Sequence, residues 1–229
     1  AMLGLHILSR EGYEADDILG TLARMAEESG DCTAYLLTGD RDALQLISPR
    51  VHVLLAGNNE TTDMDEAAFT ARYGITPDRF VDVKALMGDK SDNIPGVTKI
   101  GEKTGIKLLL EHGSLEGIYE NIDGMKASKM KENLINDKEQ AFLSKTLATI
   151  DTKAPIEIGL EDLVYSGPDV ENLGKFYDEM GFKQLKQALN ASSADVDESL
   201  DFTIVDQVSK DMLIEESIFH FELFGENYH

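Results

Sequence analysis

The chain has 229 residues, of which 42% are hydrophobic, enough for a real core in one larger or two smaller domains. No apolar run approaches the roughly 20 residues that a membrane helix needs, and the start lacks the basic, apolar and small-residue order of a signal peptide. Its single cysteine, Cys32, can form no internal disulfide, which fits a reducing cytoplasmic compartment, no membrane partner and a small core residue. A formal net charge of −22 argues at face value against a polyanionic partner. The charge is uneven, however: acidic residues dominate up to Asp92 and after Ala194, whereas Lys99, Lys103, Lys107, Lys126, Lys129, Lys131, Lys138 and Lys145 enrich the middle. Any nucleic-acid contact is expected there.

Along the chain, Ile18, Leu19, Leu22, Met25 and Ala26 recur at helical spacing between Ala15 and Glu28, with Gly30 as a stop signal. Thr33 to Thr38 reads as a buried strand and Val51 to Leu55 as a second, followed by a polar turn over residues 57–60. A helix followed by short apolar strands predicts an α/β layer with parallel strands, whose ligand sites lie beyond the strands' carboxyl ends. From Asp65 onward short helices are expected, over 65–73, 78–87, 101–111, 114–121, 126–136, 138–150 and 169–180, punctuated by Gly and Pro. Residues 191–200 are small, polar and acidic and read as a linker, after which Phe202 to Val205 and Ser217 to Leu223 have strand patterns. The divisions expected are therefore a partial α/β layer over 1–64, a helical subdomain over 65–190, a linker over 191–200 and the start of a further domain over 201–229.

Three acidic clusters stand out: Glu14, Asp16 and Asp17; Asp40 and Asp42; and Asp89 and Asp92. Crowded carboxylates resist ionising together unless a cation neutralises them, and hard Mg²⁺ or Mn²⁺ prefers such oxygens. Two ions about 3.5–4 Å apart activate water and stabilise a leaving oxygen in phosphodiester hydrolysis. Each cluster alone is better explained as helix caps and dipole partners; three together, one at a strand's carboxyl end, favour a metal site. A calcium loop is excluded because no Asp-x-Asp-x-Asp-Gly spacing occurs. The stretch Gly96 to Thr104 only superficially resembles a phosphate loop, since Glu102 intrudes between Gly101 and Lys103. Ile94 to Gly101 instead reads as a Gly-rich hairpin between two helices. Backbone N–H groups at Gly101, where the second helix opens, and the charges of Lys99, Lys103 and Lys107 suit a phosphate contact that reads no bases. An ordinary helical turn with a solvated lysine face is the bland alternative.

The ordered motifs Tyr13-Glu14-Ala15-Asp16-Asp17, Gly39-Asp40-Arg41-Asp42 and Gly88-Asp89-Lys90-Ser91-Asp92-Asn93-Ile94-Pro95-Gly96-Val97 resemble the 5′-nuclease (flap endonuclease) family, in the form carried by bacterial type I DNA polymerases. The resemblance runs from about Gly4 to Leu189. It implies a PIN-like layer and a helix-three-turn-helix hairpin that grips duplex DNA and holds a K⁺ ion. The implied activity is two-metal 5′–3′ exonuclease and flap cleavage in primer removal and repair. Glu14 and Asp16, with Asp17 beside them, would serve one Mg²⁺ or Mn²⁺; Asp40, Asp42 and Asp92, supported by Asp89, would serve the other. Gly96, Val97, Lys99, Gly101, Lys103 and Lys107 would meet the duplex near a 5′ flap or nick. The rest of a polymerase chain would be the covalent partner, with residues 201–229 opening a 3′–5′ exonuclease-like domain.

Against this pattern the family's first strand, two further Asp and its basic helical arch would precede Leu3. The expectation that follows is weak or absent cleavage by this chain alone, and an apolar sheet edge prone to self-association. The alternative function is a non-catalytic, structure-selective duplex-binding module; an acidic scaffold binding neither metal nor DNA is a third.

Overall fold

The computed structural model describes residues 2–194 and 218–222, which fall into two compact units, one built from residues 10–156 with 218–222 and one from residues 2–9 with 157–194. In the larger unit, helix α1 (Ala15–Ser29) buries Ile18, Leu19, Leu22 and Ala26 on one face and ends at Gly30 in the left-handed conformation, as its apolar spacing and stop signal predict. Strand β1 (Thr33–Thr38) follows; its alternate residues Ala34, Leu36 and Thr38 are buried, so one face meets the core. A short 3₁₀ turn (Arg41–Leu46) leads to β2 (Val51–Ala56), which pairs parallel with β1 in the register Leu36 opposite Val53.

The expected parallel pairing is present, and one antiparallel strand makes the sheet mixed. Residues 57–60 turn the chain into β3 (Thr61–Met64), antiparallel to β2. Only Met64 of this edge strand is buried, so no apolar alternation announces it in the sequence. Ile218–Glu222 forms β4, within the strand pattern read from Ser217 to Leu223, and adds in parallel to the free edge of β1, giving the order β3-β2-β1-β4. The strand pattern at 202–205 lies outside the described residues.

Helices α2 (Glu66–Tyr73), α3 (Phe80–Met87), α4 (Glu102–His112), α5 (Leu115–Glu120), α6 (Lys129–Asn136) and α7 (Lys138–Ala148) complete this unit. Asp65, Ser114 and Ser128 cap α2, α5 and α6 through side-chain acceptors. Helix α3 is central: Phe80, Val83, Ala85 and Leu86 are fully buried, and Phe80 meets Phe69 edge to face at 5.7 Å. The same helix buries Asp82 completely; its Oδ1 is ion-paired with Lys145 of α7 at 2.7 Å and its Oδ2 accepts the Leu115 N–H at 3.2 Å. A charged residue can occupy this core position because its partners come with it.

In the smaller unit, α8 (Val170–Met180) is capped by Asp169, whose own N–H donates to the Met2 carbonyl at 2.8 Å. Helix α9 (Lys183–Ala194) extends through residues 191–194, where the sequence reading began a linker. No helix among the described residues is long and apolar enough to cross a membrane.

Candidate metal centre and duplex-binding hairpin

The second and third acidic clusters converge. Asp40, two residues past the carboxyl end of β1, caps the 3₁₀ turn, its Oδ1 accepting the Asp42 N–H at 2.8 Å. That cap points the Asp42 side chain inward, where it is almost buried. Met87 ends α3, and Gly88 swings the chain out with φ +71°; a Cβ there would meet the Ile94 carbonyl at 2.6 Å. The reversal is closed by paired backbone bonds between Asp89 and Ile94, and Asp89 Oδ1 accepts the Ser91 N–H at 2.9 Å. In consequence oxygens of Asp42, Asp89 and Asp92 lie within 4.8 Å of one another.

Lys84 of α3, which sequence reasoning did not single out, reaches this trio. Its Nζ pairs with Asp42 Oδ1 and lies 2.6 Å from Asp89 Oδ2. Burial alone would lower the ammonium's pKa, but the hydrogen bonds to Asp42 and Asp89 outweigh it and raise it. Lys84 and the hydroxyl of Ser91 hold Asp89 down at about 2, whereas burial pushes Asp42 up despite Lys84. Position 84 carries a sequence signal only as a lysine among Val83, Ala85 and Leu86 on an otherwise apolar helix.

The first cluster feels the same field. Asp16 is raised to about 6, first by burial and then by the charges of Asp40, Asp42, Glu14 and Asp17. Asp17 is structurally committed: one oxygen reaches back to the Glu14 N–H at 3.1 Å and the other accepts the Asp151 N–H at 2.8 Å. Glu14, at the helix start, is exposed. Among the described residues the trio of close carboxylates excludes Glu14, Asp16, Asp17 and Asp40.

The hairpin joins α3 to α4, as expected. Gly96 (φ +63°) sits so close to α3 that a Cβ would lie 2.2 Å from the Gly88 nitrogen, and Lys99 holds φ +62° without being glycine. Val97 and Ile100 are buried as anchors, while Lys99, Lys103 and Lys107 are exposed and Gly101 caps α4. Arg41, between Asp40 and Asp42, donates to Glu102 at 2.8 Å and to the Tyr73 hydroxyl at 3.1 Å. The acidic intruder of the hairpin thus has a cation of its own.

Residues 1–74 match the family model described as 5′-3′ exonuclease, N-terminal resolvase-like domain, and residues 75–171 match 5′-3′ exonuclease, C-terminal SAM fold. The chain belongs to the 5′–3′ exonuclease family. It is 72% identical over 233 residues to DNA polymerase I of Streptococcus pneumoniae TIGR4, and 49% identical over 239 residues to that of Lactococcus lactis IL1403. In both cases 99% of this chain is covered but only 26% and 27% of the relative, so the chain spans about a quarter of their length. Among solved structures, T5 5′-exonuclease with bound divalent zinc superposes with a TM-score of 0.58 at 24% identity, covering 68% of this chain and 58% of that one. A T5 flap endonuclease complex with DNA and metal ions gives 0.56 at 24%, covering 63% and 53%. These two likenesses establish the α/β fold with its helical part.

Proposed function

We propose that this chain is the 5′–3′ exonuclease and flap endonuclease region of a bacterial DNA polymerase, acting in the cytoplasm on duplex DNA with a 5′ flap or nick. The observation that carries the reading is the convergence of Asp42, Asp89 and Asp92, three hard oxygen donors within 4.8 Å, immediately before a hairpin with exposed lysines. Asp42 and Asp92, with Asp40 beside them and Asp89 in support, would hold one Mg²⁺ or Mn²⁺, and Glu14 and Asp16, with Asp17 beside them, would serve a second ion. Bound there, the metal supplies an activated water and charge neutralisation at the leaving oxygen. The donors suit this role because hard divalent ions prefer closely spaced carboxylate oxygens, and T5 5′-exonuclease, which shares the fold, has been solved with bound zinc.

Gly96, Val97, Lys99, Gly101, Lys103 and Lys107 would hold the duplex through its phosphates. Among the described residues the N–H groups of Lys99, Gly101, Glu102 and Lys103 make no hydrogen bond within the protein, as expected of a turn entering a helix. A K⁺ ion at this hairpin would share the Gly96 and Thr98 carbonyls with the side chains of Gln140 and Asn133. Residues 1–64 would then supply Asp42 and the first cluster, and residues 65–190 both Asp89 and Asp92 and the duplex grip.

The test uses the polymerase that contains this chain and a 5′-flap duplex with Mn²⁺. Asp42→Asn and Asp92→Asn should each reduce cleavage by at least about 100-fold while leaving flap binding within a few-fold. Wild-type turnover in both variants would remove the assigned roles. Undiminished binding with no cleavage even in the parent would favour the duplex-binding module instead.

A further inference from the structure

Four polar side chains outside the motifs grip the hairpin from behind. The Gly96 N–H donates to Ser144 Oγ at 3.0 Å, and the Gly96 carbonyl accepts from Gln140 Nε2 at 2.5 Å. Two residues on, the Thr98 N–H donates to Asp137 Oδ2 at 2.8 Å and the Thr98 carbonyl accepts from Asn133 Nδ2 at 2.8 Å. Gly96 and Thr98, alternate residues of the turn, therefore each have both their N–H and their C=O engaged, as a neighbouring strand would engage them.

The spacing explains how. Positions 133, 137, 140 and 144 follow one another at four, three and four residues, a single helical stripe that crosses from α6 into α7. Asp137 stands at the join as N-cap of α7, yet its carboxylate makes no bond to that helix and is spent on Thr98. Ser144 is fully buried and Asn133 nearly so. Buried polar groups at such positions persist because they are matched.

We propose that Asn133, Asp137, Gln140 and Ser144 are positioning residues for duplex binding. They fix Gly96 and Thr98 so that the unbonded N–H groups of Lys99 and Gly101 to Lys103 present a set geometry to a phosphate. This rests on the hairpin reading given above. Asp137 makes the idea decidable. Removing a carboxylate beside a phosphate-binding element should by charge alone tighten binding, whichever residue replaces it. Asp137→Asn keeps the acceptor for Thr98, whereas Asp137→Ala loses it, so only the alanine variant releases the brace.

The experiment titrates the full 229-residue chain with a fluorescent nicked duplex at several salt concentrations, without catalytic metal. Asp137→Ala should bind roughly 5-fold more weakly than Asp137→Asn, with the salt dependence of the parent, since no phosphate contact is deleted. Lys103→Ala should weaken binding and flatten the salt dependence by about one phosphate. Thr98 amide exchange in the free chain should accelerate in Asp137→Ala alone. Equal or tighter binding by Asp137→Ala, with Lys103→Ala weakened, overturns the brace and leaves the hairpin reading intact. An inert Lys103→Ala overturns the hairpin reading itself.

Discussion

The ammonium of Lys84 lies between Asp42 and Asp89, so one internal cation already offsets part of the charge that a metal would neutralise. Replacing a nearly buried member of such a pair leaves its partners uncompensated. Lys84→Ala should destabilise the metal-free chain by about 2–4 kcal/mol, and Mn²⁺ should raise its melting temperature by more than it raises that of the parent. Equal Mn²⁺ increments in thermal melts would show that Lys84 and the metal do not share the carboxylates. Asp16 behaves oppositely to Asp89. Its folded-state pKa, about 6 through burial and the neighbouring Asp40, Asp42, Glu14 and Asp17, is above the ordinary 3.8, so the folded chain takes up a proton more readily than the unfolded one. Protonation therefore stabilises the metal-free fold as pH falls from 7 through 6 towards 4, and that contribution is lost as pH rises again. Asp16→Asn should melt higher than the parent at pH 7, with the gap closing near pH 4. A gap independent of pH in calorimetric scans would refute the assignment. Asp89, held at about 2, adds stability that disappears only below its ordinary 3.8.

Two positive-φ residues of one hairpin make contrary demands. Gly96 leaves no room for a Cβ, which would lie 2.2 Å from the backbone of Gly88, so Gly96→Ala should cost at least about 2 kcal/mol in denaturant unfolding. Lys99 holds the left-handed conformation at a cost of about 1–2 kcal/mol, against about 0.5–1 kcal/mol of extra unfolded-state entropy for glycine. Lys99→Gly should therefore stabilise the chain by about 0.5 kcal/mol while removing one charge from the proposed duplex contact; a net loss of stability would show that the lysine side chain holds its position by packing. The hairpin itself was legible because Gly88, Pro95, Gly96 and Gly101 punctuate it. Helix α1 was legible from its apolar spacing and Gly stop, and α2 to α8 from the Gly and Pro that punctuate their joins. Strand β3 was not, since Thr61, Thr62 and Asp63 are exposed and pairing with β2 is a backbone matter that leaves no mark on side-chain choice. The brace escaped notice because its stripe is polar, and a polar stripe on a helix ordinarily faces water. Lys84 escaped for the converse reason: a lysine in an apolar helix acquires meaning only when Asp42, 42 positions earlier, folds onto it.

For a chain of net charge −22 to bind DNA as proposed, its charges must be separated, and here acidic centre and lysine hairpin lie on either side of one short turn, with Asp92 and Lys99 seven residues apart. Unneutralised, Asp42, Asp89 and Asp92 oppose a phosphate approaching that hairpin. Divalent ions usually weaken protein–DNA complexes by competing for phosphates, and the salt dependence here should be shallow, about 0.9 for each of the three exposed lysines Lys99, Lys103 and Lys107. At the acidic centre the sign reverses, because a bound cation removes repulsion that no lysine of the hairpin can screen over so short a distance. Duplex affinity measured at constant ionic strength should therefore rise on adding millimolar Ca²⁺, and the rise should vanish when Asp42 and Asp92 are both changed to Asn. In that double variant the metal-free affinity should already exceed the parent's. A fall in parental affinity on adding Ca²⁺ would mean that phosphate competition outweighs neutralisation, and would separate the acidic centre from the duplex-binding surface.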